Sequence, residues 1–461
     1  MIDLSFYGAA RTVTGSKYLL KINNKKILID CGIFQGQKEL RQKNWIPPSF
    51  DTKEIEAVII THTHIDHIGY LPKLIKYGFN GKIYSTAPTA EMAKILLIDT
   101  AHLFEEDAAF RNKKKLTSHK KALPLYTVED AQDVFHHFEP VNFNQWVELD
   151  ENIQFRYHVV GHILGAASVE FKLNDNGKKI SVLFSGDIGR YAVPLIIDPS
   201  PPPETDYLIC ESTYGGEIHE PQDIFFEFAT MLDDIIKNRK ILLIPAFAVG
   251  RTQQITYIIN VLMEQKRIPP IDIHIDSPMA VRVTDVYRHY PSYHSINCDL
   301  LKREKNVFYG KHVYLHRKRK SSQLLNKLKG PAVIISASGM LTGGRILHHL
   351  LNRLSRPETT LALVGYMARG TLGRKILEGD KLVYIHKQPV EVKAQIKKLL
   401  GLSGHADSYE IMHWLNNLRK GPKRVFVTHG EEEKAIAMAD EINKLKGWST
   451  YVPTLYETVE L

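Results

Sequence analysis

The chain has 461 residues, 44% of them hydrophobic, and a formal charge of +9 from 60 Lys and Arg against 51 Asp and Glu. That length is too great for one ordinary core and predicts two or three globular domains, while the apolar content argues against a disordered or fibrous chain. The basic balance favours acidic partners such as nucleic acid, anionic membrane or a phosphorylated substrate, although a well-solvated surface has the same signature.

Cys31, Cys210 and Cys298 stand far apart without a CxxC spacing, so neither a disulfide framework nor a thiolate zinc site is expected. The opening "MIDLSFYGAA" lacks the basic and apolar regions of a signal peptide, and no run approaches the length of a membrane span. These features predict a soluble, cytoplasmic protein that does not engage a membrane.

Along the first half, the β-rich runs "KYLLKI", "KKILID", "AVIIT" and "ISVLFS" alternate with polar turns and with helical stretches such as "TAEMAKILLIDTAHLFEED". The pattern is α/β. Residues 111–121, "RNKKKLTSHKK", carry six Lys or Arg and read as a solvated loop. The proline run in "PSPPPETDYLICE" breaks regular structure and predicts a domain crossing between Asp187 and Glu211. Alternation restarts with "KILLIPAFAVGRTQQITYIINVLM" and "PPIDIHIDSPMA", a second α/β unit. Strand-like runs resume in "KLVYI", "VEVKAQI" and "RVFVTHG".

The chemistry is concentrated in "HTHIDH", directly after the buried-strand signature "AVII". Open α/β sheets place ligand sites where strands end, and there His62, His64, Asp66 and His67 offer imidazole and carboxylate donors of the kind zinc takes readily. These four cannot complete two metal sites, so further ligands are expected at other strand ends beside glycine. His162 in "VVGHILGAAS", Asp187 in "VLFSGDIGR" and His429 in "VFVTHGEEE" fit that setting, although each alone could be a turn or capping residue. The segments "SASGMLTGGR" and "GYMARGTLGR" present backbone amides near Ser336, Ser338 and Gly339, followed by Arg345 and Arg374, an arrangement suited to cradling phosphate. His405 in "LSGHADS" lies in a polar turn, where Glu211 could hold one tautomer of its ring.

"LIDCG" with Asp30, "HTHIDH", His162 and Asp187 resemble successive motifs of the metallo-β-lactamase superfamily. "CESTYG" with Glu211, "SGHAD" with His405 and "VTHG" with His429 resemble the additional motifs of its β-CASP nucleases, so the likeness spans nearly the whole chain. The resemblance implies an α/β fold, a metallo-β-lactamase αββα sandwich with an inserted α/β β-CASP domain. The expected boundaries are 1–204 and 377–461 for the two parts of the sandwich and 205–376 for the insertion. It further implies two zinc ions per chain, one held by His62, His64 and His162, the other by Asp66, His67 and His429, with Asp187 bridging. Asp30 would orient the ligands from behind, and His405 would assist near the leaving group.

The function this implies is a zinc-dependent ribonuclease that hydrolyses phosphodiester bonds of single-stranded RNA, with catalysis assigned to Asp66, Asp187, Glu211 and His405. Endonuclease and 5′-3′ exonuclease action both stay open, as does oligomeric state, although such relatives often form homodimers. Two other readings compete: a hydrolase of small thioesters or lactones, and a non-catalytic scaffold that binds RNA.

Overall fold

The computed structural model describes all residues except 1, 117–119, 176, 221–222, 297–307, 366, 368–369 and 400. Cys298, part of the basic segment 111–121, and Tyr366, Ala368 and Arg369 of the second glycine-rich segment lie outside the described residues. The chain divides into two compact units. One comprises Met1–Tyr191, Ile197–Ile218 and His405–Leu461; the other comprises Ala192–Ile196 and His219–Gly404.

The first unit contains two seven-stranded sheets. One runs in the order Thr458–Glu460, Ile2–Phe6, Tyr18–Ile22, Lys25–Ile29, Ile55–Ile59, Lys82–Ser85, Phe138–Pro140. The other runs Thr450–Tyr451, Arg424–Thr428, Tyr207–Glu211, Lys178–Phe184, Ala167–Asp175, Ile153–Val159, Val147–Asp150. Period-two alternation turns one face of each sheet inward. Leu4, Phe6, Leu20, Ile27 and Ile29 from the first sheet thus share a buried core with Phe155, Phe171, Val182, Phe184 and Phe426 from the second. Helices Ala87–Lys114 and Glu432–Lys446 pack against the strands of the two sheets, completing the expected αββα sandwich.

The second unit is built on a six-stranded, wholly parallel sheet in the order Val313–Leu315, Asp272–Ile275, Ala332–Ser336, Ile241–Pro245, Thr359–Val364, Gln395–Leu399. Parallel sheets are covered on both faces, which is why "ILLIP" is apolar throughout. Leu242 and Ile244 enter one core with the helices Ile224–Lys237 and Arg251–Glu264. Leu243 and Ile241 enter another with Arg345–Arg353 and Leu372–Leu377.

By contact, the chain passes to the second unit at Ala192–Ile196 and again at His219–Gly404, where the resemblance places the insertion at 205–376. Tyr207–Glu211, after the proline run, returns to the first unit by pairing in parallel with Lys178–Phe184 and Arg424–Thr428. Gln395–Leu399, after the glycine-rich segment, still pairs with Thr359–Val364. The basic segment also begins as helix rather than loop: Arg111, Lys113 and Lys114 form the last turn of Ala87–Lys114, where cations complement the helix dipole.

Candidate metal centre

Parallel strand order assembles the centre. Ile55–Ile59 lies between Lys25–Ile29 and Lys82–Ser85 and delivers His62 just beyond its C-terminal end. In the facing sheet Lys178–Phe184, Tyr207–Glu211 and Arg424–Thr428 are adjacent and parallel, so Asp187, Glu211 and His429 emerge side by side. His162 follows Ile153–Val159 in the same sheet.

His62, His64, His162 and Asp187 form one group, and Asp66, His67 and His429 another, each with one donor atom per residue lying within 4.8 Å of the others. In the first, His64 Nδ1 is 3.1 Å from His62 Nε2 and 3.1 Å from His162 Nε2. In the second, the Nε2 atoms of His67 and His429 are 3.0 Å apart, and Asp66 Oδ2 is 3.8 Å from His429 Nε2. Asp187 touches both. Its Oδ2 lies 3.3 Å from His62 Nε2 and 3.6 Å from His162 Nε2, while Oδ1 lies 3.4 Å from His67 Nε2 and 3.5 Å from His429 Nδ1.

The electrostatics suit a cation. Burial, reinforced by His62, lowers His64 to about 3, and burial also holds His62 and His162 below the ordinary imidazole value. Neutral rings are the form that ligates metal. His67 is the exception: burial lowers it, but Asp187 and then Asp30 outweigh that and raise it, marking an anionic setting that a cation would also meet. Asp187 Oδ1 is buried and accepts no hydrogen bond, which is costly for an anionic oxygen unless a cation meets it. This donor set of imidazole and carboxylate fits a divalent metal of the zinc type.

Asp30, in left-handed backbone geometry, supports the cluster from behind. Its Oδ2 sits 2.7 Å from His67 Nδ1, and its carboxylate accepts from Thr61 N at 2.9 Å, Thr61 Oγ1 at 3.0 Å and Ser16 Oγ at 3.2 Å. The contact holds the Nδ1 side of His67, so that Nε2 faces His429 and Asp187. Gly32 lets this loop press against "HIDH": an added Cβ would stand 1.6 Å from the backbone oxygen of Asp66. Gly32→Ala is accordingly expected to destabilise the protein by about 3 kcal/mol or more and to reduce bound metal, as read by chemical denaturation and metal analysis.

Beside the cluster, Glu211 is buried and both its oxygens lie 3.3 Å from His405 Nδ1. His405 Nδ1 is also 3.9 Å from Asp187 Oδ2, and its ring centre is 4.5 Å from that of His162. Burial opposes charge on His405, but Glu211 and then Asp187 outweigh it and raise the ring to about 9. His405 does not cap the following helix Ser408–Leu415. Asp407 does so, accepting from Glu410 N at 2.8 Å.

The residues expected to cradle phosphate have partners within the second unit. Arg345 donates to Asp276 Oδ1 at 2.7 Å and to the carbonyls of His316 and Arg317 at 2.6 and 2.9 Å. Ser336 is buried and donates to the Asp276 carbonyl. Ser338 Oγ accepts from Thr342 N and Gly343 N, amides the cradle would have offered to phosphate. Gly339 lies against the Phe247 ring, and Arg374 Nε is paired with Glu378 at 2.6 Å. The partners of Arg345 and Ser336 are distant in the chain, which a glycine-rich pattern does not reveal. Residues not anticipated from sequence include Thr61, adjacent to His62, and Thr213, whose Oγ1 is 3.2 Å from His429 Nδ1.

Three family descriptions match: a metallo-beta-lactamase superfamily domain over residues 19–184, a Beta-Casp domain over 252–376 and a Zn-dependent metallo-hydrolase RNA specificity domain over 389–453. The chain is 36% identical over 435 residues to "Ribonuclease TTHA0252" of Thermus thermophilus, covering 94% of each chain. It is 31% identical to an "RNase J-like protein" of Methanocaldococcus jannaschii, covering 98% of each. It is also 29% identical to "Transcription termination factor FttA" of Methanosarcina mazei, over all of this chain and 72% of that one. The chain belongs to the β-CASP family of the metallo-β-lactamase superfamily and is a metal-dependent hydrolase. Among the described residues, no helix is long and apolar enough to cross a membrane.

Proposed function

We propose that the protein is a two-zinc ribonuclease that hydrolyses phosphodiester bonds of single-stranded RNA. The observation that carries the reading is Asp187, whose two oxygens face two separate groups of imidazoles. His62, His64 and His162 would hold one zinc, Asp66, His67 and His429 the other, with Asp187 shared. When bound, such a pair lowers the pKa of water to about 7 and neutralises charge on phosphate oxygens.

The chain's own residues then have distinct tasks. Asp30 orients His67, and Glu211 holds His405 through Nδ1. Water adds to phosphorus in line as the bond to the 3′ oxygen of the upstream nucleotide breaks; protonated His405 supplies that oxygen with a proton, and the proton released by the water passes to solvent, from which His405 is reprotonated, leaving a 5′-phosphate and a 3′-hydroxyl. Glu211, close to both His405 and the loop carrying Asp187 through Ile188 N, keeps acid and metal ligands in register. RNA as substrate is supported by the names of the Thermus and Methanocaldococcus relatives and by the RNA specificity domain. The Glu211–His405 pair favours a nuclease over a small-thioester hydrolase, and the full donor set favours catalysis over a scaffold.

The test uses 5′-labelled, internally labelled and circular RNA, with and without chelator. Cleavage that chelation abolishes and zinc restores is expected; cutting of the circle establishes endonuclease action, and release of mononucleotides from 5′-labelled strands establishes 5′-3′ exonuclease action. RNA left intact in every form would contradict the proposal.

A further inference from the structure

The second unit carries a run of cations that the catalytic reading does not use. Residues 316–320 read "HRKRK", and Arg317, Lys318, Arg319 and Lys320 are all exposed. They follow the edge strand Val313–Leu315, where Tyr314 is 44% exposed and its ring stacks on His274 at 5.1 Å. Arg317 reaches Asp285 at 3.5 Å, whereas Lys318, Arg319 and Lys320 have no carboxylate within ion-pair distance among the described residues. Adjacent like charges repel, and in a free segment they would spread apart.

Here the backbone is held. Asp276, fully buried, accepts from Arg345 Nη1 at 2.7 Å and from Ser322 Oγ at 2.6 Å, and its Oδ2 is 2.7 Å from His349 Nε2. Arg345 in turn binds the carbonyls of His316 and Arg317. The strip is therefore clipped at its start through Arg345 and at its end through Ser322, both on one buried carboxylate. Arg345, expected at a phosphate, fixes the turn that leads into the short helix Arg319–Leu324, whose start displays the cations.

We infer that Lys318, Arg319 and Lys320, with Tyr314 beside them, form a contact surface for the sugar-phosphate backbone of single-stranded RNA. The cations neutralise successive phosphates and the aromatic ring offers a stacking face. The inference rests on the proposed RNA substrate, but it concerns strand binding and not bond cleavage. The ordered aromatic edge favours a nucleic acid over an anionic lipid surface.

The test is binding of a 30-nucleotide and a 5-nucleotide RNA by the full-length protein across a salt series, comparing wild type with K318E/R319E/K320E. Single strands contribute about 0.7 per neutralised phosphate to the slope of log K against log salt, so three lost contacts should reduce that slope by about 2. Affinity for the 30-mer is expected to fall at least about tenfold at 100 mM salt, with a smaller loss on the 5-mer. The charge-conserving K318R/R319K/K320R should restore the wild-type slope. An unchanged slope, an equal loss in the charge-conserving variant, or a loss confined to anionic phospholipid vesicles would overturn the inference. Wild-type protein that binds the 30-mer without cutting it would sink the nuclease proposal and leave this one standing.

Discussion

Asp187→Ala is expected to lower RNA cleavage by about a thousandfold or more and to drop bound zinc from about two per chain to fewer than one. Metal ions at a scissile phosphate supply several kcal/mol of charge stabilisation, and each 1.36 kcal/mol is tenfold in rate. The size of the effect follows from geometry. Oδ2 serves the group containing His62 and His162, Oδ1 serves His67 and His429, and both face buried rings. Each group would keep three donors but lose the charge they share. Metal analysis of the dialysed protein, alongside cleavage of labelled RNA, measures both consequences. Two zinc ions retained by the variant would remove Asp187 from the role proposed here.

His405→Ala should separate chemistry from metal binding. A positioned general acid contributes typically 10²–10⁴-fold, and a loss in that range is expected with zinc content unchanged, because His405 stands beside the two groups and belongs to neither. Glu211→Gln should produce a smaller loss, since the amide can still contact Nδ1 but no longer supports a charged ring. Single-turnover cleavage rates discriminate these variants from a binding defect. Thioester or lactone turnover that survives the His405 substitution while RNA cleavage was never present would support the small-substrate hydrolase instead.

The legibility of the site in the sequence tracks how locally its parts are encoded. His62, His64, Asp66 and His67 are close neighbours after an apolar strand, and a short pattern sufficed to expect them at one rim. His162, Asp187 and His429 were recognisable as strand ends beside glycine. Their meeting depends on Tyr207–Glu211 standing between Lys178–Phe184 and Arg424–Thr428, a sheet order no local pattern specifies. Arg345 shows what a local pattern leaves out. Its glycine-rich approach suggested a phosphate cradle, yet Asp276, 69 residues away, and two carbonyls take up its guanidinium. The expected crossing between Asp187 and Glu211 falls just before the proline run, where Ala192–Ile196 belongs to the second unit and Ile197 returns to the first. Ser200 within that run is tied back by its amide to Val159 O at 3.0 Å and receives Trp414 Nε1 at 2.9 Å, so the chain stays in the first unit past it.

The central claim is that these donors bind a pair of zinc ions with Asp187 between them. Anomalous scattering at the zinc edge from crystals of the zinc-loaded protein tests it most directly. Two peaks about 3.5–4 Å apart are expected, one within bonding distance of His62, His64 and His162 and the other of Asp66, His67 and His429. A single peak, or none, with His429 or His162 turned away from the early histidines, would contradict the account.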